Sequence, residues 1–118
     1  MQDKLAQALE MMKKNLGDAL PSVMPKMHEK DPKAFAHHLA GKQYSKPPEG
    51  GALDEASRTL IHMAAAITAG AGGCAAAMAR HALDVGASKE AVLEAAHIAQ
   101  FAASGAALET MEAIFDEV

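Results

Sequence analysis

Leu53-Asp54-Glu55-Ala56-Ser57-Arg58-Thr59-Leu60-Ile61-His62-Met63, followed by Gly70-Ala71-Gly72-Gly73-Cys74-Ala75-Ala76-Ala77-Met78-Ala79-Arg80-His81 and Ala82-Leu83-Asp84-Val85-Gly86-Ala87-Ser88, is the part of the chain that decides its fold. Apolar residues recur here at helical rather than alternating spacing, and the glycines punctuate them. The pattern predicts a helical hairpin with its elbow at Gly70–Gly73. Asp54 is the expected N-cap of the first arm, which buries Leu60, Met63, Ala64 and Ile67. The second arm starts near Gly73 and stops at Gly86, and Ser88 caps the next helix with Glu90 in its favourable first turn.

The whole composition agrees with an all-α class. Half of the 118 residues are hydrophobic but only 3% are aromatic, and Trp is absent. Alanine dominates the apolar count, has the best intrinsic helix propensity and lets helices approach closely. A chain of this length reads as one domain, residues 1–118, small enough that a partner subunit helps to bury its surface. Six to seven helices are expected.

Charge and cysteine usage narrow the functional classes. A formal charge of −4 and a pI near 5.8 offer no basic face to a phosphate backbone, and one Tyr and three Phe give little for base stacking, so nucleic acid is not an expected partner. The amphipathic N-terminal segment with Glu10, Lys13 and Lys14 is unlike a secretory signal. Met63 to Ala79 is uncharged but too rich in Ala and Gly for a membrane span. A soluble, cytoplasmic protein with no membrane partner is the expectation. The single Cys74 excludes an internal disulfide.

Outward from the hairpin, Leu5, Leu9, Met12 and Leu16 form one stripe of a first helix that ends at Gly17. Asp18 is positioned to cap a second helix over residues 18–29, in which Pro25 forces a kink or a restart and Val23, Met24 and Met27 face the core. Asp31-Pro32 is a stronger start, an N-cap followed by a residue preorganised for the first helical position, and Phe35 and Leu39 share the buried face beyond it. Gly41 to Ala52 reads as the one long linker. After the hairpin, Leu93, His97 and Phe101 line up. Gly105 predicts a break, and Leu108, Met111 and Phe115 form a last stripe opposed by Glu109, Glu112 and Asp116.

Chemistry concentrates at few positions. Cys74 follows two glycines at a helix start, where free N–H groups and the helix dipole favour a thiolate. The competing reading is a small buried hydrophobe. Met78, His81 and Val85 share its face, and Met78 reads as core. His62, His81 and His97 fall one to a helix without an i, i+4 pair, which does not make a metal-site pattern. His37 and His38 point to different faces, and His28 lies in a charged, solvent-facing segment.

The run Leu53-Asp54-x-x-x-Arg58-x-Leu60-Ile61, the cysteine-bearing elbow and Ala82-Leu83-x-x-Gly86-Ala87-Ser88-x-Glu90 resemble the carboxymuconolactone decarboxylase and alkylhydroperoxidase-D superfamily. The resemblance covers roughly half the chain. It implies a small alkylhydroperoxidase-D-like helical bundle that assembles as a homo-trimer or homo-hexamer, with oxidoreductase activity of peroxiredoxin type in one branch and lactone decarboxylation in another. The redox branch carries E-x11-C-x2-C-x3-H. Counted without gaps, Thr59 stands at the Glu position, Ala71 at the first Cys, Cys74 at the second and Met78 at the His. A cycle that closes an intrasubunit disulfide needs a second thiol, which this chain lacks.

In that branch the Glu and His positions cooperate, so position 59 lies opposite position 78, and each step up one arm matches a step down the other. Glu55 then lies within one step of His81, in a contact that favours imidazolium, the alternative being that both point to solvent from helix ends. His62 lies almost level with Cys74, the alternative being that it packs against the Gly-Ala elbow and hydrogen-bonds a carbonyl there. The candidate catalytic residues are therefore Cys74, His62, His81 and Glu55, with His62 holding or deprotonating the thiol. No cofactor and no metal is implied. A small-molecule enzyme acting on a peroxide, a thiol or a carboxylated lactone is the first reading, with a thiol reductant as partner. A noncatalytic binding or redox-sensing oligomer and a His-based metal-binding protein are the alternatives.

Overall fold

The computed structural model describes residues 2–47 and 49–118, and its regular elements are all helical: α1 (Gln2–Leu16), α2 (Val23–Lys30), α3 (Pro32–Ser45), α4 (Glu55–Thr68), α5 (Gly72–Asp84) and α6 (Lys89–Phe115). Among the described residues there is no strand. The helices divide into two compact units, Met1–Asp54 and Glu55–Val118.

In the first unit the core is small and specific. Leu5, Leu9 and Met12 of α1 meet Phe35 of α3, which is fully buried, and Met24, Met27 and Leu39 pack around them. Burying a side chain of the size of Phe35 is worth about 1.5–3 kcal/mol. Asp31 joins α2 to α3 without a loop: its N–H closes α2 on the Met27 carbonyl at 2.8 Å, and its carboxylate accepts the Ala34 N–H at 3.1 Å. Pro32 follows at the first helical position, as expected.

Five expectations are corrected here. Asp18 caps nothing: it lies in a short 3-10 turn, Gly17–Ala19, and α2 begins only at Val23. Pro25 does not kink α2. The late start places it in the first turn, where its missing N–H has no intrahelical partner to lose. The same start turns Val23 outward, 52% exposed, so it is no core residue. His28 is half-buried, its ring edge-on to Phe35 with centroids 5.3 Å apart. The linker is also shorter than 41–52, because α3 runs on through Gly41 to Ser45. A single helical glycine costs only about 1 kcal/mol.

The second unit is the hairpin with α6 laid against it. Thr59, Met63 and Ala66 of α4, Ala77 and Ala82 of α5 and Ala99 of α6 are its buried residues. Met63 is buried as expected, whereas Leu60, Ala64 and Ile67 are only half-buried. Thr59 is tolerated in the apolar seam because its hydroxyl donates to the Glu55 carbonyl at 2.8 Å.

Two glycines shape the unit. Gly70 has φ +77°, the Gly70 N–H reaches the Ile67 carbonyl at 3.0 Å and the Ala71 N–H the Ala66 carbonyl at 2.8 Å, a Schellman C-cap. Gly86, at φ +105°, repeats it at the end of α5, with the Ala87 N–H on the Ala82 carbonyl at 2.9 Å. Ser88 then caps α6 by accepting the Ala91 N–H at 3.0 Å. The break expected at Gly105 does not occur: α6 passes through it as one helix of 27 residues. Four alanines within three residues of Gly105, among the best helix formers, carry the helix past it.

Candidate functional site

Gly72 and Gly73 are the first two residues of α5 and Cys74 the third. No side chain caps this end, so the first backbone N–H groups and the positive end of the dipole face the thiol's surroundings. The tight Gly70 cap returns the chain at once, which sets the start of α5 beside the last two turns of α4. His62 lies there, and its Nε2 is 3.4 Å from Cys74 Sγ. Cys74 and His62 are both half-buried. The thiol is thus neither a core hydrophobe nor a fully solvated group.

Seven residues further along α5, His81 Nε2 is 3.1 Å from Glu55 Oε1. This pair is open to water, with side-chain exposures of 45% and 63%, and is an ion pair only when the imidazole is protonated. The four candidate residues therefore meet in two pairs on one face of the hairpin. At 1.5 Å rise per residue, Cys74 and His81 are separated by roughly 10 Å along α5.

Between the pairs, Arg58 on α4 and Met78 on α5 occupy the intervening turns, both half-buried. In the sequence Arg58 stands out only as part of the family resemblance. Its spacing, i+3 from Glu55 and i−4 from His62, was the available signal, since residues so spaced share a helix face. His97, His37 and His38 are exposed and join neither pair. Among the described residues, no three of His, Cys, Asp and Glu are gathered as metal ligands would be.

A thiol within hydrogen-bonding reach of an imidazole can pass its proton to the ring, and the thiolate is the nucleophilic form. The second pair offers a proton donor or a cation one face-length away. No curated protein matches the chain. Residues 32–117 match the model of the carboxymuconolactone decarboxylase family, so the chain, with its hairpin, its cysteine-bearing elbow and its all-helical fold, belongs to that family.

Proposed function

We propose that this chain, acting as one domain, is a small-molecule enzyme that reduces a peroxide through the single thiol of Cys74, with His62 as its acid and base and an external thiol as reductant. The observation that carries the reading is the 3.4 Å approach of His62 Nε2 to Cys74 Sγ. His62 takes the thiol proton, and the sulfur attacks one peroxide oxygen. The O–O bond breaks, the departing oxygen takes the proton back from the imidazolium, and the products are an alcohol and a sulfenic acid on Cys74.

With no second cysteine in the chain, resolution comes from outside. One external thiol condenses with the sulfenic acid, releasing water and leaving a mixed disulfide. A second attacks that disulfide and frees Cys74. The net change is one peroxide and two thiols to one alcohol, one disulfide and one water. A reducing cytoplasm supplies such thiols. The Glu55–His81 pair, on the same face, serves to hold a polar or anionic end of the substrate.

The test is a thiol-dependent peroxide-consumption assay combined with trapping of sulfenic acid by a dimedone-type probe. Wild type consumes peroxide and is trapped, Cys74→Ser does neither, and His62→Ala is slowed by about 10²-fold, the range of a lost general base. Trapping without turnover would mark Cys74 as a redox sensor instead. An untrappable wild type would end both readings.

A further inference from the structure

The two measured pairs fix the level of what lies between them. His62 Nε2 is 3.4 Å from Cys74 Sγ, and Glu55 Oε1 is 3.1 Å from His81 Nε2. Four residues back along α4 from His62 is Arg58, and four residues on along α5 from Cys74 is Met78; three further residues on each helix reach Glu55 and His81. Equal steps along two antiparallel helices keep level positions level, so Arg58 stands opposite Met78 in a rung between the two pairs. Met78 is one turn, roughly 6 Å, from Cys74 along α5. Arg58 and Met78 are both half-buried.

The peroxide mechanism leaves this second sulfur unused. A substrate whose O–O bond lies at Cys74 and whose polar end lies at Glu55 and His81 crosses the Arg58–Met78 rung. We propose that Met78 is itself oxidised by that peroxide to the sulfoxide, and that Arg58 then holds the sulfoxide oxygen across the face and closes it to further substrate. The inference rests on the peroxide reading of the site and adds to it a stop driven by the oxidant.

The step balances without another reactant. A lone pair on the Met78 sulfur attacks the terminal peroxide oxygen, the O–O bond breaks, and the proton on the transferred oxygen passes to the departing one. The products are an alcohol and methionine sulfoxide, with the sulfur oxidised by two electrons and the peroxide reduced by two. Return takes a sulfoxide reductase and two thiols: the sulfoxide becomes the thioether again, and the thiols leave as one disulfide and one water.

Oxidation turns a weak thioether acceptor into a strong one and an apolar side chain into a polar one. Arg58 carries five N–H donors in a planar fork, enough to take a sulfoxide oxygen beside any partner it already has. Exposure alone would set a different order of oxidation. Met11 and Met111 are 57% and 42% exposed, whereas Met63, the other methionine of the hairpin, is only 2% exposed. Met11 belongs to α1 and Met111 to the far half of α6, so neither is part of the hairpin that carries Cys74.

The experiment doses the full chain with substoichiometric hydrogen peroxide in the presence of a dimedone-type probe, quenches with catalase, and reads each methionine and Cys74 by peptide mass spectrometry. Met78 is expected to gain oxygen ahead of Met11 and Met111, and the preference is expected to vanish in urea. In a parallel assay without the probe, thiol-dependent turnover is expected to fall several-fold as the sulfoxide accumulates and to return with methionine sulfoxide reductase. Met78→Leu, close in volume, and Arg58→Leu, which removes the donors, are both expected to keep their own starting rates under the same dosing. If either variant loses its helical circular dichroism, the oxidation order and the rate of wild type decide. Met11 or Met111 oxidised first while Cys74 is trapped would overturn the inference and leave the peroxide reading standing. So would a preference for Met78 that survives urea, a Met78 sulfoxide that leaves turnover unchanged, or a folded Arg58→Leu that is shut off like wild type. An untrapped Cys74 would end the peroxide reading, and this inference with it.

Discussion

His62 Nε2 stands 3.4 Å from Cys74 Sγ across a twelve-residue separation whose only tight corner is the Schellman cap at Gly70. The pair exists because that cap lets two helices run back on each other with no intervening loop. A thiol at the first turn of one arm is then level with an imidazole near the end of the other.

The first prediction concerns reagent charge. Under the proposed function His62 takes the thiol proton, and the reactive state then pairs a thiolate with an imidazolium, which attracts an anionic alkylating agent relative to a neutral one. The ratio of iodoacetate to iodoacetamide rates is expected to fall by several-fold in His62→Ala. The absolute rate with iodoacetamide at pH 7 falls too. Equal ratios in both proteins would show that His62 does not act on the thiol.

A second prediction separates the two pairs. Glu55 and His81 are both largely exposed, so their ion pair contributes well under 1 kcal/mol to stability. A double-mutant cycle of Glu55→Gln and His81→Gln, read by thermal melting, should show a small coupling in low salt and none in 1 M salt. A coupling of the same size at both salt concentrations would mean a packing contact rather than an ionic one.

Which features could be read from sequence follows from how far each depends on its neighbours. Asp31-Pro32 and Ser88 were legible because a cap is a local device: one carboxylate or hydroxyl, one N–H three residues on. The Cys74–His62 and Glu55–His81 pairs were legible once the hairpin register was fixed, since two antiparallel helices with one tight corner have a single set of level positions. Pro25 and Gly105 were misread because a proline's or glycine's effect depends on its place in the helix, and the start of α2 and the extent of α6 were not known. The exposure of Phe101 and Leu108 was illegible in principle. Periodicity shows that a face is apolar, not what covers it.

The third prediction sets two apolar residues of the first unit against each other. Phe35→Ala should cost about 3–5 kcal/mol, the usual range for a fully buried Phe, because α1 and α2 both lean on that ring. Val23→Ala, at a 52% exposed position, should stay within about 0.5 kcal/mol. Urea unfolding followed by circular dichroism decides it. Comparable losses at the two positions would mean that Val23 belongs to the core after all.

The last prediction uses one substitution with opposite signs at two glycines. At Gly70, φ is +77° and a Cβ would meet nothing within 4 Å, so Gly70→Ala is destabilising through backbone conformation alone, by about 1–2 kcal/mol. At Gly105 a Cβ also meets open space, but the residue is inside α6 with ordinary helical geometry, so Gly105→Ala is stabilising by about 0.5–1 kcal/mol. Thermal melting reads both, at about 4–8 °C per kcal/mol for a domain of 60–100 residues. The two substitutions also differ in reach. Gly70→Ala strains the corner that sets His62 against Cys74, and thiol alkylation slows with it, whereas Gly105→Ala leaves the alkylation rate unchanged. A destabilised Gly105→Ala would restore the break in α6 that the sequence pattern implied, and a neutral Gly70→Ala would remove the corner as the device that sets the register of the pair.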